Sequence, residues 1–86
     1  MTKDELYSII RKNATHAEQN IVITDDTHIV EELNFDSIDF VQMIIDIEEL
    51  AEIDFLDEDL LVDGFTTVGT IWEMICVRLG IENEIF

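Results

Sequence analysis

The sequence predicts an all-α fold: a small four-helix bundle with three longer helices, one short helix and a long first loop. Three observations predict it. Pro is absent and Gly occurs only 3 times in 86 residues, so few positions forbid helix. Apolar residues recur at helical spacing in three separate stretches. The segments between them are polar and offer no pair of strands that could form a sheet. The length suits a single domain over residues 1–86 and leaves no room for two.

The first helix is expected to start at Thr2. "TKDE" reads as a capping box, in which the Thr2 hydroxyl accepts from a first-turn N–H and Glu5 reaches back. Leu6, Ile9 and Ile10 then face inward. Arg11 and Lys12 fall in the last turn, where they suit the negative end of the helix dipole. Residues 14 to 35 form a long connection. "NIVIT" within it is read as loop, with Ile21 and Ile23 plugging the core, and "THIVEEL" as one helical turn. A connection this long in a small domain serves as structural cover or carries function.

The second helix runs from about Ser37 to Ala51, and "DEDLLV" reads as the short third helix. The last helix begins near Thr66 as N-cap. It carries Val68, Ile71, Trp72, Ile75 and Leu79 on one stripe and stops at Gly80.

Charge narrows the function classes. There are 21 acids against 4 Lys plus Arg, a formal charge of −17, and no Lys or Arg between Asn13 and Val77. Such a field repels nucleic acid and anionic membrane and attracts basic protein surfaces. Apolar residues make up 48% of the chain, which argues against disorder despite that charge. Cys76 is alone, so neither an intramolecular disulfide nor a cysteine metal cluster is expected, and a reducing, cytoplasmic setting fits. "MTKDELYSII" lacks the basic-then-apolar pattern of a signal peptide, and no apolar run approaches the ~20 residues that span a bilayer.

The second helix carries two apolar clusters. At 100° per residue, Phe40, Met43, Ile44, Ile47 and Ala51 share one arc, the core stripe. Ile38, Val41 and Ile45 cluster on another, turned roughly 130° from the first. Gln42, Glu48, Glu49 and Glu52 surround this second cluster, and Asp39 and Asp46 lie on a third side. Two readings stand. The cluster is covered by the long loop or the short helix, or it is a docking surface whose apolar centre supplies affinity and whose acidic rim steers encounter.

Ser37 has two readings as well. Behind Asp36, a good N-cap, it is simply the first helical residue. A hydroxyl there also suits a phosphate ester, because the positive helix end stabilises an attached anion.

At "ELNFDSIDFVQMIIDIEEL" the chain resembles the acyl carrier protein family, whose members have an acid-Leu-Gly-x-Asp-Ser-Leu segment and an acidic second helix. "AEIDFLDEDL" is similar to the family's acidic loop and third helix, and "TTVGTIWEMI" to the Thr-Val opening of its last helix, so the likeness runs from Glu5 to about Leu79. The resemblance implies a non-catalytic carrier. A phosphopantetheinyl transferase would attach 4′-phosphopantetheine from coenzyme A to Ser37, and the arm would hold acyl intermediates as thioesters. Asp36 matches the motif aspartate that assists docking and transfer at the modifying enzyme. Ile38, Val41, Ile45, Glu48 and Glu49 fall where the family's recognition-helix contacts lie. The implied partners are that transferase and acyl-activating, ketosynthase or acyltransferase-type enzymes with basic docking surfaces. Neither nucleic acid nor membrane is expected to be a partner, and the carrier is expected to act as a monomer.

The chain departs from the family pattern in several places. Asn34 stands where Gly is usual, Phe35 where a small residue is common, Ile38 where Leu is typical, Gln42 for a frequent acid and Leu56 for a common Pro. These departures suggest a dedicated, stand-alone carrier of a specialised polyketide-like or nonribosomal pathway. An aminoacyl or peptidyl carrier of a nonribosomal or D-alanyl transfer system is the chief alternative, although such carriers more often have Gly-Gly-(Asp/His)-Ser-Leu and a less acidic surface.

A calcium-binding module is suggested by "DEDLLVDG". An EF-hand loop, however, needs oxygen ligands at alternate positions and Glu at the twelfth. Counting from Asp57 places Leu61 and Val62 at the fifth and sixth positions, and counting from Asp59 places Thr70 at the twelfth. An acidic interaction module that mimics nucleic acid requires neither Ser37 nor the second apolar cluster. No metal ligand set and no catalytic constellation can be assembled. His16 and His28 have no companions at ligand or triad spacing, and Cys76 and Trp72 read as core.

Overall fold

The computed structural model describes residues 1–18, 20–55 and 66–80. They form helices α1 (Lys3–Asn13), α2 (Ser37–Ala51) and α3 (Val68–Leu79), with α1 packed against both α2 and α3. The described residues are thus helical with no strand beyond one isolated bridge. The short helix expected over "DEDLLV" lies outside the described residues. No described helix is long and apolar enough to cross a membrane.

Each helix begins as its sequence requires. The Thr2 hydroxyl accepts the Glu5 N–H at 3.2 Å, and the Glu5 carboxylate accepts the Thr2 N–H at 2.7 Å. Arg11 and Lys12 occupy the last turn of α1. In α3 the expected start is displaced by one residue: the N-cap is Thr67, not Thr66. Thr66 is committed elsewhere, since its carbonyl accepts the Ile29 N–H at 2.9 Å. Thr67 is extended, and its hydroxyl accepts from Thr70 N while its own N–H donates to the Thr70 hydroxyl. A hydroxyl at the third position thus does what Glu does in α1. At the other end Gly80 has φ 70, a left-handed conformation that closes the helix.

The connection from 14 to 36 supplies much of the core. Ile21 and Ile23 are half-buried at its margin, whereas Ile29 and Leu33, on a turn closed by Glu32 N–H to His28 O and Asn34 N–H to Val30 O, are completely buried. That turn is the helical one expected in "THIVEEL". His28 pairs with Thr67 in an antiparallel bridge, fixed by Ile29 N–H to Thr66 O and Val68 N–H to Thr27 O. Gly69 N–H donates to Asp25 O at 2.8 Å; a Cβ at Gly69 would lie 3.1 Å from that oxygen, a tight contact that glycine avoids. Leu6, Ile10, Ile29, Leu33, Met43, Ile47, Val68, Ile71 and Ile75 form the fully buried centre. Burying each contributes roughly 1.5–3 kcal/mol.

Polar side chains lock the elements together. Buried Asn13 donates to Ile9 O at 2.9 Å and to Asp46 on α2 at 3.0 Å, and Lys12 reaches the same carboxylate at 3.1 Å. The Asn13 bond first, with Gln42 and Lys12 behind it, holds Asp46 below the usual carboxylate range. Asp25 accepts from Lys3 at 2.6 Å and from the Tyr7 hydroxyl, joining the loop to α1.

Candidate functional site

The site is built around the amino end of α2. Asp36 is extended, and its carboxylate accepts the Asp39 N–H at 2.8 Å while Asp39 accepts the Asp36 N–H at 3.3 Å. This reciprocal cap turns the chain sharply from the loop into the helix. Ser37 follows as the first helical residue and is exposed. It stands at the end of the helix where the dipole is positive.

Backbone conformation explains one departure from the expected motif. Asn34 has φ 57, in the left-handed region where Gly is free and Asn is the best-tolerated alternative. Phe35 is buried in the core and Phe40 is half-buried against it, so aromatic rings brace the chain on both sides of Ser37.

The cap is reinforced from a distance. The imidazole of His16 lies 3.1 Å from Asp36 Oδ2 and 3.9 Å from Asp39 Oδ2. The Thr15 hydroxyl donates to Asp39 Oδ1 at 3.0 Å. The Asp39 N–H, aided by His16, holds the Asp36 carboxyl below the usual range, so it is ionised at neutral pH. Sequence spacing gives His16 no companion; the fold brings it Asp36 and Asp39 across at least 20 residues. No local signal could have found this contact. His28 does serve loop packing, accepting the Glu31 N–H at Nδ1.

Below Ser37 the two faces of α2 separate. Met43, Ile44, Ile47 and Ala51 are buried, with Phe40 half-buried beside them. Ile38, Val41 and Ile45 are 76%, 55% and 40% exposed. Neither the long loop nor any other described segment covers them. Glu49 is exposed on the same face, one helical turn beyond Ile45. Glu48 differs, because it is half-buried and accepts the Phe55 N–H at 2.9 Å, holding the segment that follows α2.

The chain is 36% identical over 72 residues to the acyl carrier protein of Clostridium perfringens strain 13, covering 84% of this chain and 90% of that protein. It is 38% identical over 53 residues to the acyl carrier protein of Buchnera aphidicola subsp. Baizongia pistaciae, covering 62% and 65%. No protein-family model matches it.

Proposed function

The chain belongs to the acyl carrier protein family, and on that premise we propose that Ser37 carries a 4′-phosphopantetheine arm and that the protein shuttles acyl intermediates between partner enzymes. The observation that carries this reading is the exposed hydroxyl at the first position of α2, behind the Asp36 cap. The residues present suit the group: an exposed serine and a positive helix end for the phosphodiester. The arm, when bound, supplies a terminal thiol that holds cargo as a thioester.

The work of the chain is to present and orient. In the transfer step Ser37 Oγ forms a bond to the pantetheine-bearing phosphorus of coenzyme A. The pyrophosphate bond breaks, adenosine 3′,5′-bisphosphate leaves, and the hydroxyl proton passes to a base of the transferase. Asp36 fixes the helix start and with it the direction of the Ser37 side chain. Ile38, Val41 and Ile45 form the apolar centre of the docking face. Glu49 stands on its rim, and Glu48 combines a rim position with its hold on Phe55 N–H.

The test is intact mass after incubation with coenzyme A and a broad-specificity phosphopantetheinyl transferase. Wild type is expected to gain one phosphopantetheine and Ser37→Ala none. A modified Ser37→Ala chain overturns the assignment.

A further inference from the structure

We propose that Trp72 is a cargo-selecting residue: its indole N–H donates to an oxygen along the carried chain, so the preferred load is an acyl chain bearing a hydroxyl or keto group rather than a plain hydrocarbon. The inference rests on the arm-bearing reading of Ser37. Trp72 lies on the buried stripe of α3 with Val68, Ile71 and Ile75 and is 8% exposed. Its Nε1 is shut off from solvent and has no hydrogen-bond partner. An indole donates and does not accept, so only an acceptor satisfies it. A buried N–H left unpaired is destabilising, and a ring needed for packing alone avoids that loss as Phe.

The chain supplies no acceptor. Among the described residues the buried polar side chains are Asn13, Thr27 and Asp39. Asn13 is held by Ile9 O and Asp46, Thr27 accepts the Thr24 N–H, and Asp39 accepts the Asp36 N–H and the Thr15 hydroxyl. The Thr70 hydroxyl, close by in sequence, is committed to Thr67. Water is a poor occupant as well. A buried water needs two to four polar partners, and Trp72 belongs to a cluster built from side chains such as Leu6, Ile10, Met43 and Ile47. A ligand that suits this place is mostly apolar and carries an acceptor oxygen.

An oxygenated acyl chain has that composition. When it parts the helices, its carbons are buried against the apolar cluster and its oxygen meets the indole. The formal charge of −17 makes the closed bundle self-repelling, which eases the parting. A saturated chain gains the same apolar burial but leaves the N–H unpaired. Discrimination comes from the orphaned donor, as in any site whose buried polar group is satisfied by one ligand and not by its analogue. One neutral hydrogen bond gives a preference of roughly two- to tenfold.

The test loads wild type and Ser37→Ala from octanoyl- or β-hydroxyoctanoyl-coenzyme A with the transferase and confirms the load by intact mass. Trp occurs once in the chain, so the indole proton–nitrogen resonance reports on Trp72 alone. In loaded wild type the indole proton is expected further downfield with β-hydroxyoctanoyl than with octanoyl. Hydroxylamine should cleave the β-hydroxyoctanoyl thioester roughly two- to tenfold faster in Trp72→Phe than in wild type, and the octanoyl thioester equally in both. An indole position that is the same under both loads, as the thioester carbonyl common to every cargo would give, overturns the inference, as does equal cleavage of the hydroxylated load in both chains. If Trp72→Phe does not fold, the wild-type resonance decides alone. A wild-type chain that gains no mass, or a Ser37→Ala chain that does, overturns the arm-attachment reading and this inference with it; correct loading with an unresponsive indole overturns this inference alone.

Discussion

Tyr7 shows how a single side chain can couple the fold to pH. Its hydroxyl donates to Asp25, the carboxylate that also accepts from Lys3. Burial first, and then that bond, push its pKa up from 10.0 to about 12. An unfolded chain gives up the proton at the ordinary value while the folded chain keeps it. The stability Tyr7 contributes is therefore complete below pH 10.0 and is lost as pH rises through about 12. Tyr7→Phe should melt with a shallower alkaline decline than wild type over this range; parallel melting curves against pH would contradict the coupling. Asp25 has the opposite sign. Lys3 first, then Tyr7, hold it below the ordinary 3.8, so its contribution is present above that value and disappears as pH falls through its lowered folded value.

At the scale of the element, α2 carries both demands of a small carrier. One face is buried and the other is solvated, and the charges follow the second demand rather than the comfort of the helix. Its last turn contains no base, while Glu48 and Glu49 stand near the negative end of the dipole and Glu52 caps it with φ 56. A left-handed non-glycine residue carries a penalty that glycine lacks. Glu52→Gly should therefore stabilise the fold by about 1 kcal/mol, read as a higher urea midpoint; a lower midpoint would show that the Glu52 side chain holds more than its backbone costs. The proposed docking face predicts a different effect. Glu49→Lys should lower the association rate with a basic transferase severalfold, with the deficit shrinking as salt is added, while Glu73→Lys on α3 makes the same charge change with little consequence. Equal rates for both variants would remove the oriented face. Glu48→Lys is a less clean probe, because it also breaks the bond to Phe55 N–H.

For the whole molecule, charge dominates. A formal −17 on 86 residues, with few cations to offset it, makes the compact state self-repelling. The described ion pairs of Lys3 and Lys12 lie along α1. The melting temperature should rise with added sodium chloride and more steeply with magnesium. A flat response across salt would mean that the acids are already neutralised by their surroundings.

The sequence by itself determined the three described helices, the bounds of α2, the separation of its two apolar clusters and the exposed serine behind an aspartate cap. These are local properties: a 3.6-residue period and a capping residue act within a turn or two. The start of α3 was misplaced by one residue because two adjacent threonines are equivalent caps until a bridge from Ile29 claims the first. The roles of Ile29, Leu33 and Phe35 in the core, and the coverage of each face, depended on how the long loop folds, which no period encodes. Most of all, the meeting of His16 and Thr15 with Asp36 and Asp39 was decided only by the tertiary structure. Contacts across twenty residues of irregular chain arise from packing α1 and its loop against α2, and neighbours in space need leave no trace in sequence spacing.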